Sequence, residues 1–187
     1  MQFRKTLASK YIGVCFFFFS LSALAQLGST NGEWPSYASD AGSTKYTSLS
    51  QISRRNFENL EIAWRWQSID VDLDFEALLG LDADVGFGRL QATPLMIDGV
   101  LYMITALNQV VALTAVTGEM LWAYDPQVYM SGASNSPLGF HHRGVAWWSN
   151  GGDSRVLVTT NDGYIISLVA ETGEVDTAFA GGRIDMT

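Results

Sequence analysis

The sequence predicts an all-β fold, a β-propeller of four-stranded antiparallel blades, with about two blades and a closing strand before them present. Two observations carry this. Residues 91–126 and 143–180 each hold four short β-rich runs cut by turn signals, and Thr-Gly-Glu recurs 55 residues apart, at 117–119 and 172–174. A four-stranded sheet of this size cannot bury both faces alone. A repeat of this length is one blade that packs only on its neighbours.

The first 25 residues have the pattern of a secretory leader: Arg4, Lys5 and Lys10, an apolar stretch from Tyr11 to Leu24, and a small-x-small site at Ala23-Leu24-Ala25. The core is shorter than the roughly 20 apolar residues that span a bilayer. Export to the periplasm with cleavage before Gln26 is therefore expected. Cys15, the one cysteine, lies in that leader, so disulfides and thiolate metal sites are not expected after cleavage. Formal net charge is −8, and removing the leader's three basic residues takes it to −11. That balance argues against nucleic acid and anionic membrane surfaces as partners.

Residues 26–59 form the next unit. Asn31 to Leu49 is rich in Gly, Ser and Asp with interleaved aromatics, an irregular arm expected to dock Trp34, Tyr37 and Tyr46. Leu60 to Gln67 alternates as a strand, with Ile62, Trp64 and Trp66 on one face. Glu61-Ile62-Ala63-Trp64 repeats the pattern of Glu119-Met120-Leu121-Trp122. Residues 60–67 thus resemble the last strand of a blade lacking its first three, as expected of a strand that closes a ring. Residues 70–84 carry six acids and no base. Asp70, Asp72 and Asp74 begin like a calcium loop, but Phe75 stands where the loop needs Gly and Leu81 where it needs Glu. A solvated acidic loop or short helix is the simpler reading.

The first blade follows from its turns. Asp98-Gly99 between two apolar runs signals a type I′ hairpin, which needs positive φ at both central residues. Thr117-Gly118 marks the turn into the fourth strand. The second blade repeats this as 144–149, 155–160, 164–170 and 175–180. It departs at one place: by the Thr-Gly register, Thr177 stands where Trp122 stands in the first.

Here the residues resemble a known family, the quinoprotein dehydrogenases. Their tryptophan-docked blade runs roughly Ala-x-Asp-x-x-Thr-Gly-x-x-x-Trp. This chain has Ala112-Leu113-Thr114-Ala115-Val116-Thr117-Gly118-Glu119-Met120-Leu121-Trp122. Residues 32–46, 90–103 and 141–148 resemble the same family in chain order, and the glucose- or polyol-type branch looks nearest. The resemblance implies an eight-bladed propeller with pyrroloquinoline quinone (PQQ) on its axis beside Ca2+. It implies oxidation of a sugar, polyol or alcohol by hydride transfer to the quinone, with a cytochrome or ubiquinone taking the electrons.

Three residues are candidates for holding PQQ. Arg143 precedes the Gly-Val-Ala-Trp strand, where the family places an arginine that pairs with a PQQ carboxylate; a guanidinium fork suits that group. Gln91 sits before Ala-Thr-Pro-Leu, where relatives have a polar or acidic residue facing PQQ. An amide there can donate or accept, and a loop cap is the competing reading. His142 adjoins Arg143. Paired cysteines of the alcohol-oxidising branch are absent, with Ser131 to Ser136 in their place. The family's catalytic Asp and calcium ligands lie on later blades, so no catalytic residue is assigned. An eight-bladed ring at this period takes roughly 440 residues. The chain is therefore expected to be an N-terminal fragment, inactive alone. A non-catalytic propeller scaffold of the outer-membrane assembly type is the alternative.

Overall fold

The structure, a computed structural model, describes residues 29, 31–74, 90–131 and 139–187. The leader with Cys15, residues 75–89 and residues 132–138 lie outside these, as do the expectations placed on them. No described helix is long and apolar enough to cross a membrane.

Among the described residues, eight strands form two four-stranded antiparallel sheets, each in sequence order. The first holds β1 (Leu95–Ile97), β2 (Val100–Ile104), β3 (Val110–Thr114) and β4 (Met120–Tyr124). The second holds β5 (Ala146–Asn150), β6 (Asp153–Thr159), β7 (Tyr164–Val169) and β8 (Arg183–Asp185). Both are meanders, as the repeat predicts. The β1–β2 hairpin is closed by Asp98 and Gly99 with φ of 49° and 79°, the two positive values that a type I′ turn requires.

Alternation sorts side chains to two faces of the first blade. Tyr102, Ile104, Val110 and Ala112 face the second blade and join Val156, Val158, Ile166 and Leu168 in one core. The Tyr102 ring sits between the indoles of Trp122 and Trp147, at centroid separations of 6.0 and 5.3 Å. Met103, Val111 and Leu113 face the other way, onto Trp64, Trp66 and Ile69. The first blade is therefore covered on both faces, which is why β3 is buried from Val110 to Leu113. On the second blade Trp148 and Leu157, which point away from the first, stay partly open.

Residues 60–67 form no ladder among the described residues; the partner of a closing strand belongs to the last blade of a ring. Their tryptophans dock on the first blade: Trp64 Nε1 donates to the Ala115 carbonyl at 3.0 Å. Two expectations need correcting. First, the last strand of the second blade is not 175–180. Val175 makes only an isolated bridge to Leu168, and β8 at Arg183–Asp185 completes the sheet against Tyr164–Ile166. The cause is local. Phe179 N–H bonds the Asp176 carbonyl at 3.0 Å, and Gly181 and Gly182 turn the chain with φ of 76° and 110°. The loop between delays the strand. Second, Asp70 is no solvated acid but is buried, in the short 3-10 helix at Ile69–Asp72.

The arm runs along the free edge of β1. Trp34 and Met96 exchange backbone hydrogen bonds at 2.7 and 3.1 Å, and the Glu33 carboxylate accepts from Asp98 N–H at 3.1 Å. Within the arm, Trp34 is half-buried, while Tyr37 and Tyr46 remain exposed.

Candidate functional site

In an antiparallel meander, the start of the first strand lies at the same end as the turn between the second and third. Gln91 and Arg143, which precede β1 and β5, therefore share one end of the molecule with the 105–109 and 160–163 turns. The two blades are tied together there. Thr93 N–H donates to the Arg143 carbonyl at 2.9 Å, and Asn161 N–H to Asn108 Oδ1 at 2.8 Å. Asn108 is fully buried, with φ of 67°, a left-handed value that asparagine tolerates.

Asp70 braces this end from below. Its carboxylate accepts from Thr105 Oγ1 at 2.6 Å, Gln109 Nε2 at 2.8 Å and, more weakly, Leu107 N–H at 3.4 Å. Sequence reasoning missed it because only the fold brings the 69–72 turn under the 105–109 turn.

Arg143 is exposed, and its guanidinium forms no hydrogen bond or ion pair with a described residue. Its backbone is fixed, so a cationic fork stands open on a rigid base. It borders two clefts. One, of about 460 Å3, is lined by Tyr37, Arg143, Leu157, Ile165 and their neighbours in sequence. The other, of about 400 Å3, is lined by His141, His142, Arg143 and Thr159 to Asn161. Tyr37 was expected to dock the arm; instead it reaches Arg143's cleft.

His142 is differently placed. Its Nδ1 lies 3.2 Å from Gly144 N, and its Nε2 lies 2.7 Å from the Thr159 carbonyl. A backbone N–H can only donate and a carbonyl only accept, so Nδ1 is bare and Nε2 carries the proton. Burial lowers the His142 pKa from its ordinary value, which agrees with a neutral ring. Both nitrogens are thus engaged by the protein. Gln91 is exposed, its amide makes no hydrogen bond with a described residue, and it lines neither cleft. The structure brings Arg143 and His142 together, with Gln91 two residues from Thr93. Among the described residues no group of three His, Cys, Asp or Glu side chains is placed to hold a metal.

Two sequential four-stranded meanders packed face to face make part of a β-propeller, with an exposed arginine just before the second begins. The family model described as "PQQ: Glucose/ethanol/alcohol dehydrogenase, beta-propeller domain" matches residues 34–187. The chain belongs to this PQQ-dependent dehydrogenase family. It is 36% identical over 144 residues to the dehydrogenase subunit of the quinone-dependent alcohol dehydrogenase of Gluconacetobacter polyoxogenes, covering 77% of this chain and 17% of the relative. The quinohemoprotein alcohol dehydrogenase structure from Comamonas testosteroni aligns with a TM-score of 0.59 at 30% identity, over 76% of this chain and 18% of that one. Quinoprotein glucose dehydrogenase A of Acinetobacter calcoaceticus is 26% identical, over 88% of this chain and 22% of the relative. The chain thus spans about a fifth of the length of these relatives. Of these, the alcohol-named proteins are the more similar, which runs against the glucose- or polyol-type branch expected.

PQQ is the group the family implies, and Arg143 fits it: a cationic fork unpaired among the described residues matches a carboxylate of this polyanion. Gln91 fits as a free amide near the same end. His142 does not fit as a direct ligand by nitrogen, since neither ring nitrogen is free.

Proposed function

We propose that this chain supplies two blades and part of the PQQ-binding mouth of a periplasmic quinoprotein dehydrogenase. The enzyme would oxidise a sugar, polyol or alcohol, with a cytochrome or ubiquinone accepting the electrons. One observation carries the reading: the Arg143 guanidinium is exposed, unpaired among the described residues, and rooted between a backbone bond to Thr93, just before β1, and the His142 ring's bond to Thr159 in β6. When bound, PQQ supplies the chemistry of hydride acceptance from the alcohol carbon, beside a calcium ion whose ligands are expected outside these residues. This chain's own part is binding. Arg143 holds a carboxylate of the quinone, Gln91 hydrogen-bonds its rim, and the packed blades keep both at fixed separation. Alcohol-named relatives favour an alcohol as substrate.

Titration of residues 26–187 with PQQ, followed by tryptophan quenching, tests this. Replacing a charge-assisted bidentate contact costs about 1.5–3 kcal/mol, so Arg143→Ala should weaken binding roughly ten- to a hundredfold. Unchanged affinity overturns the assignment. These residues alone, given PQQ, Ca2+, ethanol or glucose, should not reduce an electron-accepting dye; reduction would show that they suffice for catalysis. Export rests on residues 1–25, and their fusion to a phosphatase active only outside the cytoplasm should give activity.

A further inference from the structure

We infer that His142 is a positioning residue, which pins the backbone on both sides of Arg143 so that the guanidinium projects from a fixed point at the mouth. This rests on the reading of Arg143 as a carboxylate-binding group.

The geometry is a three-point hold. On the near side, the His142 ring reaches across to β6, with Nε2 donating to the Thr159 carbonyl at 2.7 Å and lying 3.1 Å from its hydroxyl. On the far side, Gly144 N–H donates back to Nδ1 at 3.2 Å. Between them the Arg143 carbonyl accepts from Thr93 N–H at 2.9 Å. A Cβ at Gly144 would lie 3.1 Å from the Thr93 carbonyl, so the backbones of the two blades meet closely at this point. Arginine has a long, rotamer-rich side chain, and ordering it on a ligand costs conformational entropy. Fixing its root in advance lowers that cost, as preorganisation does generally. Histidine suits the task because one neutral ring accepts at Nδ1 and donates at Nε2, facing opposite partners. Asparagine can reproduce only the first bond, since its side-chain oxygen accepts from the N–H two residues on, as in an Asx turn.

Amide exchange and PQQ titration on the leaderless chain test this together. In His142→Ala, the Gly144 and Thr93 amides should exchange at least about tenfold faster, Val111 should keep its protection, and the PQQ dissociation constant should rise about tenfold. His142→Asn should keep Gly144 protected and bind PQQ within about threefold of wild type. Unchanged exchange at Gly144 and Thr93 in His142→Ala overturns the inference. So does faster exchange with unchanged PQQ affinity, while Arg143→Ala still weakens binding and leaves the reading of Arg143 standing. If Arg143→Ala binds PQQ as wild type does, that reading fails and the inference with it. Loss of Val111 protection in His142→Ala marks unfolding, and His142→Asn then decides: a tenfold loss of affinity with Gly144 still protected overturns the inference.

Discussion

Gly173 lies flat under the indole of Trp122: a Cβ added there would stand 2.5 Å from the ring, and the Trp122 Nε1 donates to the Ala170 carbonyl at 2.9 Å. Gly118 stands in the same relation to Trp64, again at 2.5 Å. Both glycines are also left-handed, with φ of 74° and 73°. A methyl at Gly173 therefore clashes and strains the backbone. Gly173→Ala should destabilise the chain by about 2–4 kcal/mol, combining overpacking with the left-handed cost. Urea denaturation checks it, and a midpoint equal to wild type counts against the docking.

Trp122 separates packing from hydrogen bonding. Trp122→Phe keeps a ring over Gly173 but strands the Ala170 carbonyl, a loss of about 1 kcal/mol or somewhat more. Trp122→Ala removes the ring from the core between the blades and should lose about 3 kcal/mol or more. Thermal melts of the two variants should fall in that order.

Asp70 predicts a longer-range effect. Asp70→Ala leaves Thr105 Oγ1 and Gln109 Nε2 buried without their acceptor, at about 1–3 kcal/mol for each such group. The 105–109 turn should lose amide protection before the centre of β3 does. Uniform loss across the blade would mean that Asp70 serves the whole sheet instead of the turn.

Acidification should weaken the fold through His142. Its ordinary pKa is 6.5, and burial lowers it in the folded chain. The unfolded chain therefore takes up the proton at higher pH than the folded one. Above about 6.5 both states are neutral there and stability is unaffected. As pH falls from that value towards the folded pKa, protonation favours unfolding. His141 beside the ring acts in the same direction as burial. Across the cleft, Asp162 on the facing turn accepts from Thr160 Oγ1. His142→Asn should flatten the loss of urea midpoint between about pH 6.5 and 5. An equal slope in both proteins would remove His142 as its cause.

The blades were legible because their signals are local. Asp98-Gly99 demands one turn type and Thr117-Gly118 another, and the alternation between them sets which side chains face which way. Arg143 and Gln91 were legible only through resemblance to a family, since a lone arginine before a strand has no pattern of its own. The rest depended on distance in the fold. Trp64 was read as a strand residue from its spacing, yet its role is fixed by Ala115, 51 residues away. Asp70 was read with its acidic neighbours, while its partners lie 35 and 39 residues on. Arg183–Asp185 escaped notice because the Asp176–Gly182 loop pushes the last strand past where the 55-residue period puts it.

Both indoles reach forward along the chain: Trp64 to the sheet that follows it, Trp122 to the next. In each joint the residue that inserts is made before the groove that receives it. Because a polypeptide is made from its N-terminus, each new sheet meets a partner that has already been made. The polarity of the joints therefore runs with the direction of synthesis, and assembly can keep pace with it.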